Sequence, residues 1–110
     1  MNLNDLKNKA ANFSDSQFGK DRLPVEPLKH LKEEVDELME ALTNGGDPET
    51  EYADCFLLLI DSFRKYYPGL DMQHLIDVCS RKLDINASRQ WKLDDDGVYR
   101  HIKEKSVHND

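Results

Sequence analysis

Residues 30–60 read HLKEEVDELMEALTNGGDPETEYADCFLLLI, and this stretch decides the fold. From Pro27, a residue suited to a first helical turn, the apolar side chains Leu28, Leu31, Val35, Leu38 and Leu42 recur at three- and four-residue steps. That spacing keeps them on one face of an α-helix. Asn44-Gly45-Gly46 ends the helix, and Asp47-Pro48-Glu49 starts another with an N-cap, a proline and acids in the first turn. Phe56, Leu57, Leu58, Leu59, Ile60 and Phe63 cover most of that second helix, which is therefore expected to be central and packed on several sides. Two helices joined by so short a turn form an antiparallel hairpin.

Outward from the hairpin, Leu3, Leu6, Ala10 and Phe13 mark an N-terminal helix over about residues 4–18, stopping near Gly19. A loop with Pro24 and Pro27 follows. On the other side, Pro68-Gly69 breaks the chain after about Tyr66, and Asp71 caps a fourth helix. Its inward face is expected to hold Leu75, Ile76, Cys79, Leu83 and Asn86 or Ala87, and it should end near Trp91. Residues 92–110 read as a polar tail. No strand-like alternation of useful length occurs, so the expectation is an all-α four-helix bundle, one domain over residues 1–110 with core helices over about 27–90.

Composition narrows the partners. With 38% apolar and 34% charged residues the chain is wetter than an average domain, as in a helical protein that buries more surface by forming a homodimer or homotetramer. A pI near 5.0 argues against a nucleic-acid polymer or an anionic membrane as partner. The longest apolar run, residues 55–60, is far below the ~20 needed to span a bilayer, which points to a soluble, cytoplasmic protein. Cys55 and Cys79 lack metal-ligand spacing and read as reduced core thiols.

Charge is concentrated on the hairpin. Residues 33–54 hold nine acids and no Lys, Arg or His, against a net charge of -7 for the whole chain. Residues three apart share a helix face, so Glu34 pairs with Glu37 and, on the next helix, Glu51 with Asp54. One antiparallel register, centred on Asn44, sets Glu34 opposite Asp54 and Glu37 opposite Glu51. Four carboxylates in one patch repel one another unless a cation sits among them. Mg²⁺, which takes oxygen ligands and is often completed by substrate phosphates, suits such a patch, with Mn²⁺ as the expected substitute. Asp36, Glu40, Asp47 and Glu49 read instead as solvated charges.

On the fourth helix Lys82, Asn86 and Arg89 fall at i, i+4 and i+7, one stripe that suits phosphate oxygens and sugar or base edges. His30, one turn before Glu34, either reaches the site or stays a surface residue. Trp91 either stacks on a base or packs the end of the helix. Asp61 is a buried supporting acid or an oligomer contact. A calcium loop at Asp94-Asp95-Asp96-Gly97 fails, because an EF-hand frame set by Gly97 places lysines, Lys92 and Lys103, at its first and last ligand positions.

Glu33-Glu34-x-x-Glu37, a spacer and Glu51-x-x-Asp54 resemble the two-part signature of the MazG-like, all-α nucleoside triphosphate pyrophosphohydrolases, and Lys82-x-x-x-Asn86-x-x-Arg89-x-Trp91 resembles that family's later segment. Phe13-Ser14, Phe18-Gly19, Leu28-Lys29-His30-Leu31-Lys32-Glu33-Glu34, Glu51-Tyr52-Ala53-Asp54, Asp96-Gly97-Val98-Tyr99 and His101 are similar to the short dATP/dGTP pyrophosphohydrolase subgroup of bacteria and phages, over roughly residues 13–102. The resemblance implies that Glu34, Glu37, Glu51 and Asp54 bind Mg²⁺, that Glu33 assists a second metal or positions water, and that Lys82, Asn86 and Arg89 hold the nucleotide. It implies conversion of a purine (deoxy)nucleoside triphosphate, such as dATP, dGTP or GTP, to the monophosphate and pyrophosphate. The residues alone leave two rivals open: the same fold acting on dUTP, dCTP or a guanosine tetraphosphate alarmone, and a non-catalytic helical interaction module.

Overall fold

The computed structural model describes residues 1–69 and 71–103. Its elements are α1 (Leu3–Phe18), α2 (Val25–Asn44), α3 (Pro48–Tyr66), α4 (Met72–Ala87), β1 (Trp91–Leu93) and β2 (Tyr99–His101). The chain divides into two compact units, Met1–Met72 and Gln73–Asp110. No helix among the described residues is long and apolar enough to cross a membrane.

In the first unit, α2 and α3 form the hairpin and α1 packs on α3. Local chemistry sets the ends of each helix. Asn2 and Asp5 form a reciprocal capping box at the start of α1, at 2.8 and 3.1 Å. Helix α2 begins at Val25, two residues ahead of the expected Pro27, and Pro27 sits in the first turn, where its missing N–H leaves nothing unsatisfied. Gly45, at φ 84°, ends α2 in a conformation that glycine adopts freely. At Gly46 a Cβ would lie 3.3 Å from the Ala41 Cβ, so the turn returns close against its own helix. The Asp47 side chain accepts the Thr50 N–H at the start of α3, and Pro48 follows it as predicted.

Polar ties fix α1 and the interhelical loop onto α3. Ser14 Oγ donates to Asp61 at 2.8 Å, Arg64 bonds both Asp61 and Asp15, and Ser62 Oγ donates to the Pro24 carbonyl at 2.7 Å. Ser14, Asp61 and Ser62 are all buried, each with its partner, as buried polar groups require. Asp61 is buried, and its partners here are Ser14 and Arg64 rather than a residue of the acidic cluster. Asn4 takes the Met72 N–H at 2.9 Å and donates to Asp71, so a side chain of α1 caps the first residue of α4.

Helix α3 was expected to be covered on several sides, but in one chain it is not. Tyr52, Phe56, Leu59 and Tyr66, at four-, three- and seven-residue steps, are 56%, 47%, 50% and 67% exposed. Within the first unit α1 and α2 lie against it, and two neighbours leave one face of a helix open. Pro27, Ile60 and Met72 are the buried apolar residues among those described.

The second unit departs from the expected helix and polar tail. Helix α4 stops at Ala87 rather than near Trp91, and β1 pairs antiparallel with β2 through Trp91–His101, Lys92–Arg100 and Leu93–Tyr99. The strands are three residues long, too short to show alternation in sequence. Asp94-Asp95-Asp96-Gly97 is their turn, with Gly97 at φ 83° and Arg100 bonded to Asp94 and Asp96 at 2.6 and 2.9 Å. The inward face expected for α4 is also corrected: Leu75 and Asn86 are half-buried, whereas Ile76, Cys79 and Leu83 are exposed. Cys79 is therefore no core thiol, and Cys55 is half-buried; both are free. Residues 104–110 of the expected tail lie outside the described residues.

Candidate active site

The α2–α3 hairpin brings three of the four expected carboxylates together. Glu34, Glu37 and Glu51 each offer one oxygen, and these oxygens all lie within 4.8 Å of one another. Glu34 and Glu37 are one helical turn apart on α2, and Glu51 faces them from the first turn of α3. Asp54 lies outside this trio and is exposed, yet close enough for its charge to act on Glu34. Glu33 is exposed and also stands outside the trio.

Electrostatics show how strained this arrangement is for bare carboxylates. The Glu34 carboxyl is pushed above the usual glutamate range, first by its hydrogen bond with Glu37, then by burial and by the charges of Glu37 and Asp54. Each of these influences disfavours the charged form of Glu34, so its carboxyl gives up its proton less readily than a free glutamate does. His30 opposes the shift, its Nε2 lying 3.1 Å from Glu34 Oε1. His30 thus touches the cluster although it remains exposed.

Glu51 Oε2 is buried and has no hydrogen-bond partner among the described residues. A buried carboxylate oxygen without a partner is costly, and a cation is the simplest group that would satisfy it. The all-oxygen donor set, half-buried and open on the Glu37 side, fits a hard divalent ion that keeps waters or takes phosphate oxygens. Cys55 was not singled out as a neighbour of this site. Its thiol is pushed up by burial and then by Glu34, Glu51, Asp54 and Glu37. Its position one turn after Glu51 was the available signal.

The expected nucleotide-binding residues belong to the second unit. Lys82 is exposed on α4, and Asn86 is half-buried in its last turn. Arg89 lies beyond the helix end, in a turn where its N–H donates to the Asn86 carbonyl at 3.2 Å. The three therefore do not form one continuous helical stripe. The Trp91 indole N–H also donates to the Asn86 carbonyl, at 2.9 Å, and its ring meets His101 edge-on at 5.9 Å. Packing of the helix end is thus visible for Trp91.

The dATP/dGTP pyrophosphohydrolase family profile matches residues 6–109. The chain belongs to that family. Among solved structures it is similar to a MazG-like pyrophosphohydrolase of cyanophage S-2L, bound to dGDP and three catalytic Mn²⁺ ions per active site. The two are 28% identical with a TM-score of 0.69, over 94% of this chain and 99% of that one. No curated protein matches. Family membership and this likeness give the chain the all-α MazG-like fold and the activity of a hydrolase acting on nucleotide anhydride bonds. The non-catalytic interaction module is set aside.

Proposed function

We propose that the protein is a Mg²⁺-dependent pyrophosphohydrolase that converts a purine (deoxy)nucleoside triphosphate, dATP or dGTP above all, to the monophosphate and pyrophosphate. The observation that carries the metal site is the meeting of Glu34, Glu37 and Glu51 oxygens within 4.8 Å, with one Glu51 oxygen left without a partner. Glu34, Glu37 and Glu51 hold the metal, and Asp54 adds charge or a further ligand. The cyanophage relative's Mn²⁺ and dGDP support a divalent metal and a purine nucleotide.

A divalent cation bound there would neutralise the triphosphate and make a water acidic enough to act as the nucleophile. The protein's own part is to place charge and to manage a proton. Glu34, Glu37 and Glu51 would hold such a cation through their ionised carboxylates, and its charge would offset their mutual repulsion. Glu33, exposed at the edge of the cluster, accepts a proton from attacking water or supports a second ion. Lys82, Asn86 and Arg89 hold the nucleotide's phosphates and sugar. No Ser, Cys or His nucleophile is needed.

The assembly is a homodimer or homotetramer, which covers the open face of α3. The test of the activity is a panel of the eight common NTPs and dNTPs with Mg²⁺, separating monophosphate plus pyrophosphate from diphosphate plus phosphate. Diphosphate products would overturn the proposed bond cleavage, and preference for dUTP or dCTP would overturn the purine assignment.

A further inference from the structure

We propose that Trp91 is a positioning residue for nucleotide binding: its indole N–H sets the end of α4 that carries Asn86 and Arg89. This rests on the reading that Asn86 and Arg89 hold the nucleotide.

A helix C-terminus leaves its last carbonyls without partners, and the common remedy is a residue, usually Gly, in the left-handed conformation. Helix α4 lacks that remedy. Ser88, Arg89, Gln90 and Trp91 follow Ala87, and none of them has positive φ. Side chains close the end instead. Ile85 O accepts from Ser88 N and from Ser88 Oγ at 3.1 and 2.6 Å, and Asn86 O accepts from Arg89 N at 3.2 Å and from Trp91 Nε1 at 2.9 Å.

The indole is a firm anchor because Trp91 belongs to the hairpin. It pairs with His101, Ile102 N donates to Gln90 O at 2.7 Å just beyond that pair, and the ring lies edge-on to His101. Arg100 closes the far end on Asp94 and Asp96. One carbonyl therefore receives both the backbone N–H of Arg89 and a donor fixed in a rigid hairpin. Arg89, like Arg81, makes no salt bridge among the described residues, whereas Arg22, Arg64 and Arg100 each do. The backbone bond fixes where the Arg89 side chain leaves the turn, and its guanidinium, with no carboxylate partner among the described residues, remains available to a phosphate. Without the indole N–H, the turn at 88–90 loses its outer restraint, and the nucleotide must order it on binding.

The test compares Trp91→Phe, which keeps an aromatic ring beside His101 and drops the donor, with Arg89→Ala, using dGTP and dATP with Mg²⁺. The expected result for Trp91→Phe is a KM raised about fivefold, the worth of one ordinary hydrogen bond, with kcat within about twofold of wild type. Replacing Trp91 by benzothienylalanine, which is isosteric and lacks the N–H, should reproduce that split even if Phe packs poorly. An unchanged KM in the benzothienylalanine protein, with KM raised in Arg89→Ala, overturns the positioning role alone. Unchanged KM in both would overturn the underlying assignment of Arg89 to the nucleotide. Trp91 is the chain's single tryptophan, so its one indole N–H resonance can also be followed. Protection from exchange that deepens when dGTP is added to Glu37→Gln protein supports the proposal, and a freely exchanging indole contradicts it.

Discussion

Arg64 reaches from α3 to α1 and holds Asp15 with a 2.9 Å hydrogen bond while also bonding Asp61, a buried acid on its own helix. Burial works against the guanidinium charge, but the bonds to Asp15 and Asp61 outweigh it and hold the charge firmly. Asp61→Asn leaves a largely buried cation short of its counter-charge. Breaking such a pair from one side should cost about 3 kcal/mol, seen as a lower Tm and denaturant midpoint. A change within error would show that Asp15 alone suffices.

Asp15 makes the same contact sensitive to acid. The Arg64 hydrogen bond, opposed by some desolvation and aided by the charges of Arg64, Lys65 and Lys20, holds its carboxyl below the ordinary aspartate value of 3.8. A depressed acid contributes stability that is fully present above 3.8 and is lost as pH falls through the lower folded value. Wild type should therefore exceed Asp15→Asn in Tm by a constant margin at neutral pH. That margin should shrink below about pH 4 as both forms become neutral. A margin independent of pH would mean that Asp15 acts through packing rather than charge.

The carboxylate trio predicts a metal response in stability as well as in turnover. Binding to the folded state alone raises stability by mass action, about 2.7 kcal/mol at a hundred times Kd. Calorimetry should show Tm rising with Mg²⁺ or Mn²⁺ in the wild type and far less in Glu37→Gln or Glu51→Gln. Because even supporting groups of metal sites are worth ~10–100-fold, loss of a ligand should cut kcat/KM by at least about 100-fold. Glu51→Gln should also be no less stable than wild type without metal, since it removes a buried charge that lacks a partner.

The open face of α3 predicts self-association. Phe56 and Leu59 are about half exposed beside Tyr52 and Tyr66, and a stable dimer must bury about 1,200–2,000 Å² in total. Light scattering should give a dimer or tetramer for the wild type. Phe56→Asp with Leu59→Asp should shift it toward monomer with a parallel loss of activity. A fully active wild-type monomer would refute this.

Much of the fold was legible in the sequence because its signals are local. Asp47-Pro48, Asn44-Gly45-Gly46 and the three- and four-residue apolar spacing act within one or two turns, so the helices fell close to where they were expected. The Glu34–Glu37 pairing was legible for the same reason, since residues three apart share a helix face whatever surrounds them. The β-hairpin was not, because three-residue strands carry no period and its turn was weighed only as a calcium loop.

What tertiary structure decided is which of these groups meet. Sequence alone placed Glu34, Glu37, Glu51 and Asp54 on adjoining helices, but the rotation of α3 against α2 brings Glu51 into the cluster and leaves Asp54 at its edge. The close approach of the turn at Gly46 to Ala41 and the Ser62 bond to the Pro24 carbonyl join α3 to α2 at its two ends, and neither is a property of one helix. Trp91 is the sharper case. Its identity allowed stacking or packing equally, and only the paired hairpin, which directs the indole N–H at the Asn86 carbonyl, shows what the residue holds. Helices and their caps follow from neighbours in sequence; the contacts between them follow from geometry that only the folded chain supplies.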